Sequence, residues 1–147
     1  MNKFKAYFCL GCFAKNLCFG SSLFAESLRA MNAIEIAYNK GWTNLWLETD
    51  STLVMLAFKS SSFVPWNIRN RWKNCIDLTK QMNFIVSHIF REGNCCADSL
   101  ANIGLSINSL VLMSINSLVW MNDIPSQARA DFFRNRLDLP CFRFVNF

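Results

Sequence analysis

Short apolar segments alternate with longer segments of helical periodicity, and this alternation limits the possible folds more than any other feature of the sequence. Residues 5–13, 45–49 and 84–90 are short, rich in apolar and aromatic side chains, and typical of strands. Residues 22–40 and 66–82 carry apolar side chains three and four positions apart, as amphipathic helices do. With a short helix after residue 50 and another helix after residue 94, the order predicts an α/β domain.

Capping residues mark the ends of the predicted helices. Serine and asparagine satisfy the free backbone N–H groups at a helix start, and glycine tolerates the backbone conformation that often follows a helix end. A turn at residues 91–93 separates the last strand from the last helix. The predicted caps are Ser22, Ser51 and Asn94, and the predicted final residues are Lys40, Phe58 and about Leu105.

Three carboxylates occupy three separate parts of this pattern. Glu26 lies in the opening turns of a predicted helix, Asp50 follows a predicted strand, and Asp98 lies in the first turn of the last helix. Taken singly, each is read as a solvated surface acid, and Asp98 also suits the positive end of a helix dipole. If the three converge, their mutual repulsion favours a divalent cation between them.

Composition indicates one domain-sized globular chain. Its 147 residues are 52% hydrophobic, its formal net charge is +5, and its pI is about 8.9. This charge is compatible with a phosphate-bearing partner. The sequence lacks, however, the dense basic runs of many nucleic-acid-binding proteins. No apolar run is long enough for a transmembrane helix.

Seven cysteines, an odd number without paired spacing, predict free thiols and an intracellular, reducing location of unknown compartment. Cys9 and Cys12 have zinc-ligand spacing, but no second pair follows, so buried free cysteine is the preferred interpretation. Residues 5–13 are interpreted as a buried strand rather than a secretory signal, because no cleavage pattern follows.

The remaining residues, 106–147, are predicted to form a tail outside the domain at 1–105. The tail contains a short duplication, since Ile-Asn-Ser-Leu-Val occurs at 107–111 and again at 115–119. Its end alternates basic and aromatic residues without clear periodicity. Such a mixture suits either packing of the aromatics on the domain or contact with nucleic acid.

Three sequence patches together resemble the type 1 ribonuclease H domain of plant retroelement-derived, reverse transcriptase-like proteins. The patches are Ser-Ser-Leu-Phe-Ala-Glu ending at Glu26, Leu-Glu-Thr-Asp-Ser around Asp50, and His-Ile-Phe-Arg-Glu-Gly-Asn-x-x-Ala-Asp-x-Leu-Ala containing Asp98. Their order and spacing match the family, and the resemblance covers residues 5–105.

The resemblance implies a five-stranded mixed sheet flanked by helices and hydrolysis of the RNA strand of an RNA–DNA hybrid. In that family four acids bind two Mg²⁺ ions, and Glu26, Asp50 and Asp98 match three of them. Oxygen ligands suit Mg²⁺, and paired metal ions suit an in-line phosphoryl displacement. Candidate nucleic-acid contacts are Arg91, Asn94, Arg69 and Lys73, although Arg91 equally suits an ion pair and Asn94 is first a helix cap.

The sequence also departs from the family pattern. No acidic residue precedes Glu26, so the family's first-strand aspartate has no match, and residues 5–13 correspond to the third strand. The expectation is therefore a sheet lacking the first two strands, with an exposed edge that favours self-association. His88 falls on a strand rather than in the following loop, which argues against a direct catalytic part.

Three hypotheses remain open from the sequence. The first is a Mg²⁺-dependent ribonuclease H-like endonuclease, with activity impaired by the missing acid. The second is a nucleic-acid-binding module without catalysis, held by basic residues and sensitive to salt. The third is a truncated retroelement remnant that does not fold alone.

Overall fold

The computed structural model describes residues 12–15, 21–110 and 118–136. Nine strands and helices lie within them, joined by short 3-10 turns at Ser61–Phe63, Trp66–Ile68 and Arg91–Gly93. They are β1 (Cys12–Lys15), α1 (Ser22–Asn39), β2 (Asn44–Thr49), α2 (Thr52–Lys59), α3 (Arg69–Thr79), β3 (Asn83–His88), α4 (Cys95–Leu110), β4 (Leu118–Met121) and α5 (Ser126–Arg136). The mixed α/β class predicted from the sequence is confirmed.

The chain forms two compact units. One is the continuous segment Phe19–Phe90, which contains α1, β2, α2, α3 and β3. The other combines Met1–Cys18 with Arg91–Phe147 and contains β1, α4, β4 and α5. None of the described helices is long and apolar enough to cross a membrane.

Two parallel strands organise the first unit. β2 and β3 pair in register from Asn44 opposite Asn83 to Thr49 opposite His88. Side chains alternate between the two faces of a strand, so Trp46 and Ile85 lie exposed on one face, while the helices of this unit pack on the other. On the described residues this sheet has two strands. Of the strand predicted at residues 5–13, residues 12 and 13 belong to β1 and the others lie outside the described residues.

The core of this unit lies where α1, α2 and α3 meet the inner face of the sheet. Phe58 of α2 contacts both α3 and the sheet, because its ring centroid lies 4.8 Å from that of Trp72 in α3 and 5.4 Å from that of Phe84 in β3. The fully buried side chains confirm the helical periodicity read from the sequence. They include Met31, Ile34, Val54, Val64, Trp72 and Cys75.

A polar cluster ties α1 to α3 beside this core. The Arg71 guanidinium donates two hydrogen bonds to the Glu35 carboxylate, at 2.8 and 2.6 Å, and a third to the buried amide of Asn32 at 2.8 Å. The Cys75 thiol lies 3.5 Å from Glu35. Paired charge-assisted hydrogen bonds hold both partners in fixed orientations, so this cluster fixes how the two helices pack.

The second unit pairs β1 with β4 in an antiparallel ribbon, with Cys12 opposite Met121 and Lys15 opposite Leu118. α4 packs against both β1 and α5, and Ser99 of α4 donates a hydrogen bond to the Asp131 carboxylate of α5. The sequence predicted neither β4 nor α5. α4 also extends to Leu110, past the predicted end near Leu105.

The cysteines differ in state. Cys75 and Cys96 carry reduced thiols, as the sequence predicts. Cys95, the first residue of α4, is disulfide-bonded, so the expectation of free thiols is wrong at this position. The side chains of Cys9 and Cys12, which have zinc-ligand spacing in the sequence, lie outside the described part of the chain.

Gly41 reverses the chain between α1 and β2. Its φ of 70° lies in the left-handed region that only glycine adopts without strain. The Gly41 N–H donates to the Tyr38 carbonyl and the Trp42 N–H donates to the Ala37 carbonyl, which is the double hydrogen-bond pattern of a Schellman motif.

We predict that Gly41→Ala lowers the free energy of unfolding by about 1 kcal/mol. No atom lies within 4 Å of an added Cβ at Gly41, so the loss comes from backbone strain alone. Gly93 has equal space and no positive φ, which makes Gly93→Ala the matched control, with an expected change within about 0.5 kcal/mol. Urea denaturation of both variants checks this, and equal losses would contradict it.

A second prediction concerns alkaline stability. Burial raises the pKa of the Cys75 thiol to about 12, and the adjacent Glu35 carboxylate adds to the rise. An unfolded thiol has a pKa of about 8.5, so above that pH the unfolded state loses this proton first and unfolding becomes more favourable. The stability that Cys75 contributes is therefore full below about pH 8.5 and is lost progressively as the pH rises toward 12.

Urea denaturation of the wild type and Cys75→Ala at several pH values between 7 and 11 measures this effect. The free energy of unfolding should fall more steeply with pH in the wild type than in the variant. Loss of the side chain can also shift the variant's free energy of unfolding by a constant amount, which does not affect this comparison of slopes. Equal slopes would contradict the assigned thiol pKa.

Candidate active site

Glu26 lies near the amino end of α1. The helix begins after Ser21, whose hydroxyl accepts a hydrogen bond from the Phe24 N–H at 3.2 Å. The sequence placed this cap one residue later, at Ser22. The Glu26 carboxylate is about one-quarter exposed and forms a 2.6 Å ion pair with Arg29, one turn further along the helix. This ion pair orients the Glu26 carboxylate at the helix surface.

Asp50 occupies the bend directly after β2 and is half-buried. Its flanking residues anchor this bend. The Thr49 hydroxyl accepts a hydrogen bond from the Ser51 N–H at 3.2 Å, and the Ser51 hydroxyl caps α2 by accepting from the Val54 N–H at 3.3 Å. Asp50 therefore lies between a strand end and a helix start, which is where ligands commonly bind in α/β sheets.

The turn at Gly41 brings Glu26 and Asp50 to the same end of the first unit. α1 packs on β2 after the chain reverses at residues 40–43, so helix and strand run in opposite directions. Glu26 lies about 20 Å before the end of α1 at 1.5 Å per helical residue. Asp50 lies about 20 Å beyond the start of β2 at 3.3 Å per strand residue.

His88 lies at the same strand end as Asp50, a placement that the sequence analysis did not use. Thr49 and His88 are opposite each other in the parallel register, and the His88 Nε2 lies 3.2 Å from the Asp50 main-chain carbonyl oxygen. Because a carbonyl can only accept, Nε2 carries the proton of this hydrogen bond. The sequence contained a signal for this placement, because parallel strands that end together bring the residues after them to the same edge of the sheet.

Asp98 lies in the first turn of α4, in the second unit. Its N–H donates to the Asn94 carbonyl at 3.1 Å, which gives Asn94 the N-cap position that the sequence predicts. Glu26 and Asp50 thus belong to one unit and Asp98 to the other. Within residues 12–15, 21–110 and 118–136, no group of three or more His, Cys, Asp and Glu side chains forms a metal-binding cluster.

The candidate nucleic-acid contacts have different surroundings. The Arg69 guanidinium donates to the Val64 carbonyl at 3.1 Å and so braces the loop before α3. Lys73 is exposed on α3, and Arg91 is exposed in the turn Arg91–Gly93. The roles assigned to these three residues and to Asn94 stay predictions.

The donor chemistry of the three acids fits Mg²⁺. All three offer carboxylate oxygens, the ligands that this hard cation prefers, and they lie at a helix start or a strand end, where backbone geometry is well fixed. The Cys96 thiol, which lies two positions before Asp98, is a soft ligand and does not suit Mg²⁺.

Comparison with known proteins supports the assignment of the fold. A family described as reverse transcriptase-like, whose members are ribonuclease H-like domains, matches residues 7–104, about two-thirds of the chain. No curated protein and no solved structure matches at a significant level. The matched segment includes Glu26, Asp50 and Asp98. The chain belongs to the reverse transcriptase-like family of ribonuclease H-like domains, and it is a nucleic-acid-related domain of that kind.

Proposed function

We propose that this chain binds RNA–DNA hybrids and hydrolyses their RNA strand in a Mg²⁺-dependent reaction. The observation that carries the proposal is the short chain reversal at Gly41 between the packed elements α1 and β2, from which we infer that Glu26 and Asp50 lie at the same end of this pair. Family membership supports a nucleic-acid partner, and the match of Glu26, Asp50 and Asp98 to three of the family's four acids supports the hydrolytic chemistry.

In this proposal Glu26 and Asp50 hold the metal at the scissile phosphate. Bound Mg²⁺ would supply Lewis-acid chemistry, lowering the pKa of an attacking water and neutralising charge on the leaving oxygen. Asp50 contributes most directly, because the hydrogen bonds of Thr49 and Ser51 fix the bend that carries it. Fixed ligands need little reorganisation during the reaction, which is the main source of electrostatic catalysis.

His88 and Arg29 have positioning roles in this proposal. The His88 imidazole donates to the Asp50 carbonyl and so holds the residue after β2 in place. Arg29 holds Glu26 through an ion pair between partly exposed side chains. Such ion pairs are weak, so a bound divalent cation can compete with Arg29 for the Glu26 carboxylate.

We predict Mg²⁺-dependent cleavage of the RNA strand of a labelled RNA–DNA hybrid by the purified chain. Asp50→Asn should lower the rate by at least about 100-fold, because it removes a charged metal ligand at nearly constant volume. Gel analysis of the labelled RNA strand gives the rate, and circular dichroism verifies that the variant is folded.

Asp77→Asn is the matched control. Asp77 is an exposed aspartate on α3, ion-paired to Lys80 at 2.7 Å, and it has no part in the proposed site. Its substitution should leave cleavage unchanged. Cleavage that persists in EDTA, or that is equal in Asp50→Asn and the wild type, would contradict the proposal.

A further inference from the structure

Trp66 is exposed in a way that packing does not explain. It starts the turn Trp66–Ile68, which leads directly into α3, and 84% of its surface is accessible to solvent. This is the highest exposed fraction among the large apolar side chains of the described residues. Exposing an indole forgoes the stabilisation that its burial would give, so a tryptophan on an open surface is a candidate contact residue.

Lys73 is the basic residue of α3 that remains available to contact a ligand. Arg71 is committed to Glu35 and Asn32, and Arg69 donates to the Val64 carbonyl. Lys80, just after the helix, is ion-paired to Asp77. Lys73 is exposed and forms no ion pair with any residue in the described part of the chain.

Trp66 and Lys73 lie in consecutive elements, the turn Trp66–Ile68 and α3, and both are exposed. They are seven positions apart in the sequence, and the rise of a 3-10 turn followed by an α-helix places their backbones about 12 Å apart. Asn67 and Asn70 are exposed beside them. We call Trp66, Asn70 and Lys73 the α3 stripe. It combines a flat aromatic ring, an amide and an unpaired ammonium group.

This combination matches the chemistry of an unpaired nucleic-acid strand. Aromatic side chains stack on exposed bases regardless of sequence, while cations pair with the backbone phosphates. At 3.4 Å per nucleotide in a stacked strand, 12 Å spans about three to four nucleotides. A single strand of this length can therefore reach both Trp66 and Lys73.

The other exposed tryptophan of the described residues offers a worse surface for this ligand. Trp46 lies on the outer sheet face next to Ile85, and its indole N–H is bound to the Ser87 hydroxyl at 2.8 Å. Glu48 is exposed on the same face. Its negative charge repels phosphates, and the face carries no cation within β2 and β3.

We propose that the α3 stripe binds a single-stranded segment flanking the RNA–DNA hybrid, with a base stacked on Trp66 and a phosphate paired with Lys73. This inference rests on the proposed nucleic-acid function and adds a second contact surface to it. The inference predicts that this chain binds hybrids with overhanging ends more tightly than blunt hybrids.

The test compares two fluorescein-labelled hybrids, one blunt and one with a single-stranded DNA overhang, by fluorescence anisotropy in EDTA. The wild type should bind the overhang hybrid more tightly. Trp66→Leu keeps an apolar side chain but removes the aromatic ring, and it should weaken overhang binding by roughly 5- to 100-fold. Trp66→Phe should retain most of the affinity, since it keeps a stacking surface.

Lys73→Gln tests the phosphate contact, with Lys80→Gln as the matched control because it removes the same charge from an ion-paired site. For the overhang hybrid, Lys73→Gln should reduce the slope of log K against log salt by about 0.7, the value for one contact to a single strand. Lys80→Gln should leave the slope nearly unchanged.

The outcomes separate this inference from the proposed function. Tight binding of both hybrids that is equal for wild type and Trp66→Leu would overturn the α3 stripe and leave hybrid recognition intact. Absence of binding to either hybrid would overturn the proposed function, and the stripe with it. Overhang-specific binding that Trp66→Leu abolishes, while blunt-hybrid binding persists, supports the inference.

Discussion

The parallel pairing of β2 with β3 is the constraint on which the first unit depends. Its register sets which side chains face the helices and which residues follow the two strands at the same edge. A slip of one residue would move Phe84 and Val86 to solvent and would separate His88 from Asp50. Hydrophobic packing against Phe58 and Trp72 prevents that slip, so the core also fixes the candidate site.

The reversal at Gly41 extends this constraint to α1. Because the turn is short, the start of the helix lies level with the end of the strand, and Glu26 comes to the same end as Asp50. The Arg71–Glu35 contact then fixes α1 against α3. The acids are therefore held by elements whose own positions are determined by burial and by satisfied polar contacts, as a preorganised site requires.

The sequence predicted the first unit well and the second poorly, for identifiable reasons. α1 and α3 have strong helical periodicity, and their buried residues followed from it. β4 and α5 have no such pattern. The duplication illustrates the limit, since Leu110 of the first copy is the last residue of α4, whereas the equivalent Leu118 of the second copy is the first residue of β4. The same position in the same local sequence is helical in one copy and extended in the other, so tertiary contacts decide between them.

The candidate functional residues also divide into those that motifs indicate and those that only the structure reveals. Glu26, Asp50 and Asp98 are candidates because they match positions of acids in the motifs of the family. The contact of His88 with the Asp50 carbonyl depends on strand register, and the exposure of Trp66 depends on how the loop before α3 packs. The shared strand edge of His88 and Asp50 could be inferred from the sequence, but their contact and the exposure of Trp66 became visible only when non-local pairing and burial were known.

Paramagnetic Mn²⁺ titration of the ¹⁵N-labelled chain, followed by NMR, tests directly whether Glu26 and Asp50 share one metal site. Mn²⁺ accepts the same oxygen ligands as Mg²⁺ and broadens the signals of nearby amides. The account predicts that signals around both acids broaden together and that Asp50→Asn reduces the effect at both. Broadening confined to one acid, or spread evenly over the chain, would contradict a shared site.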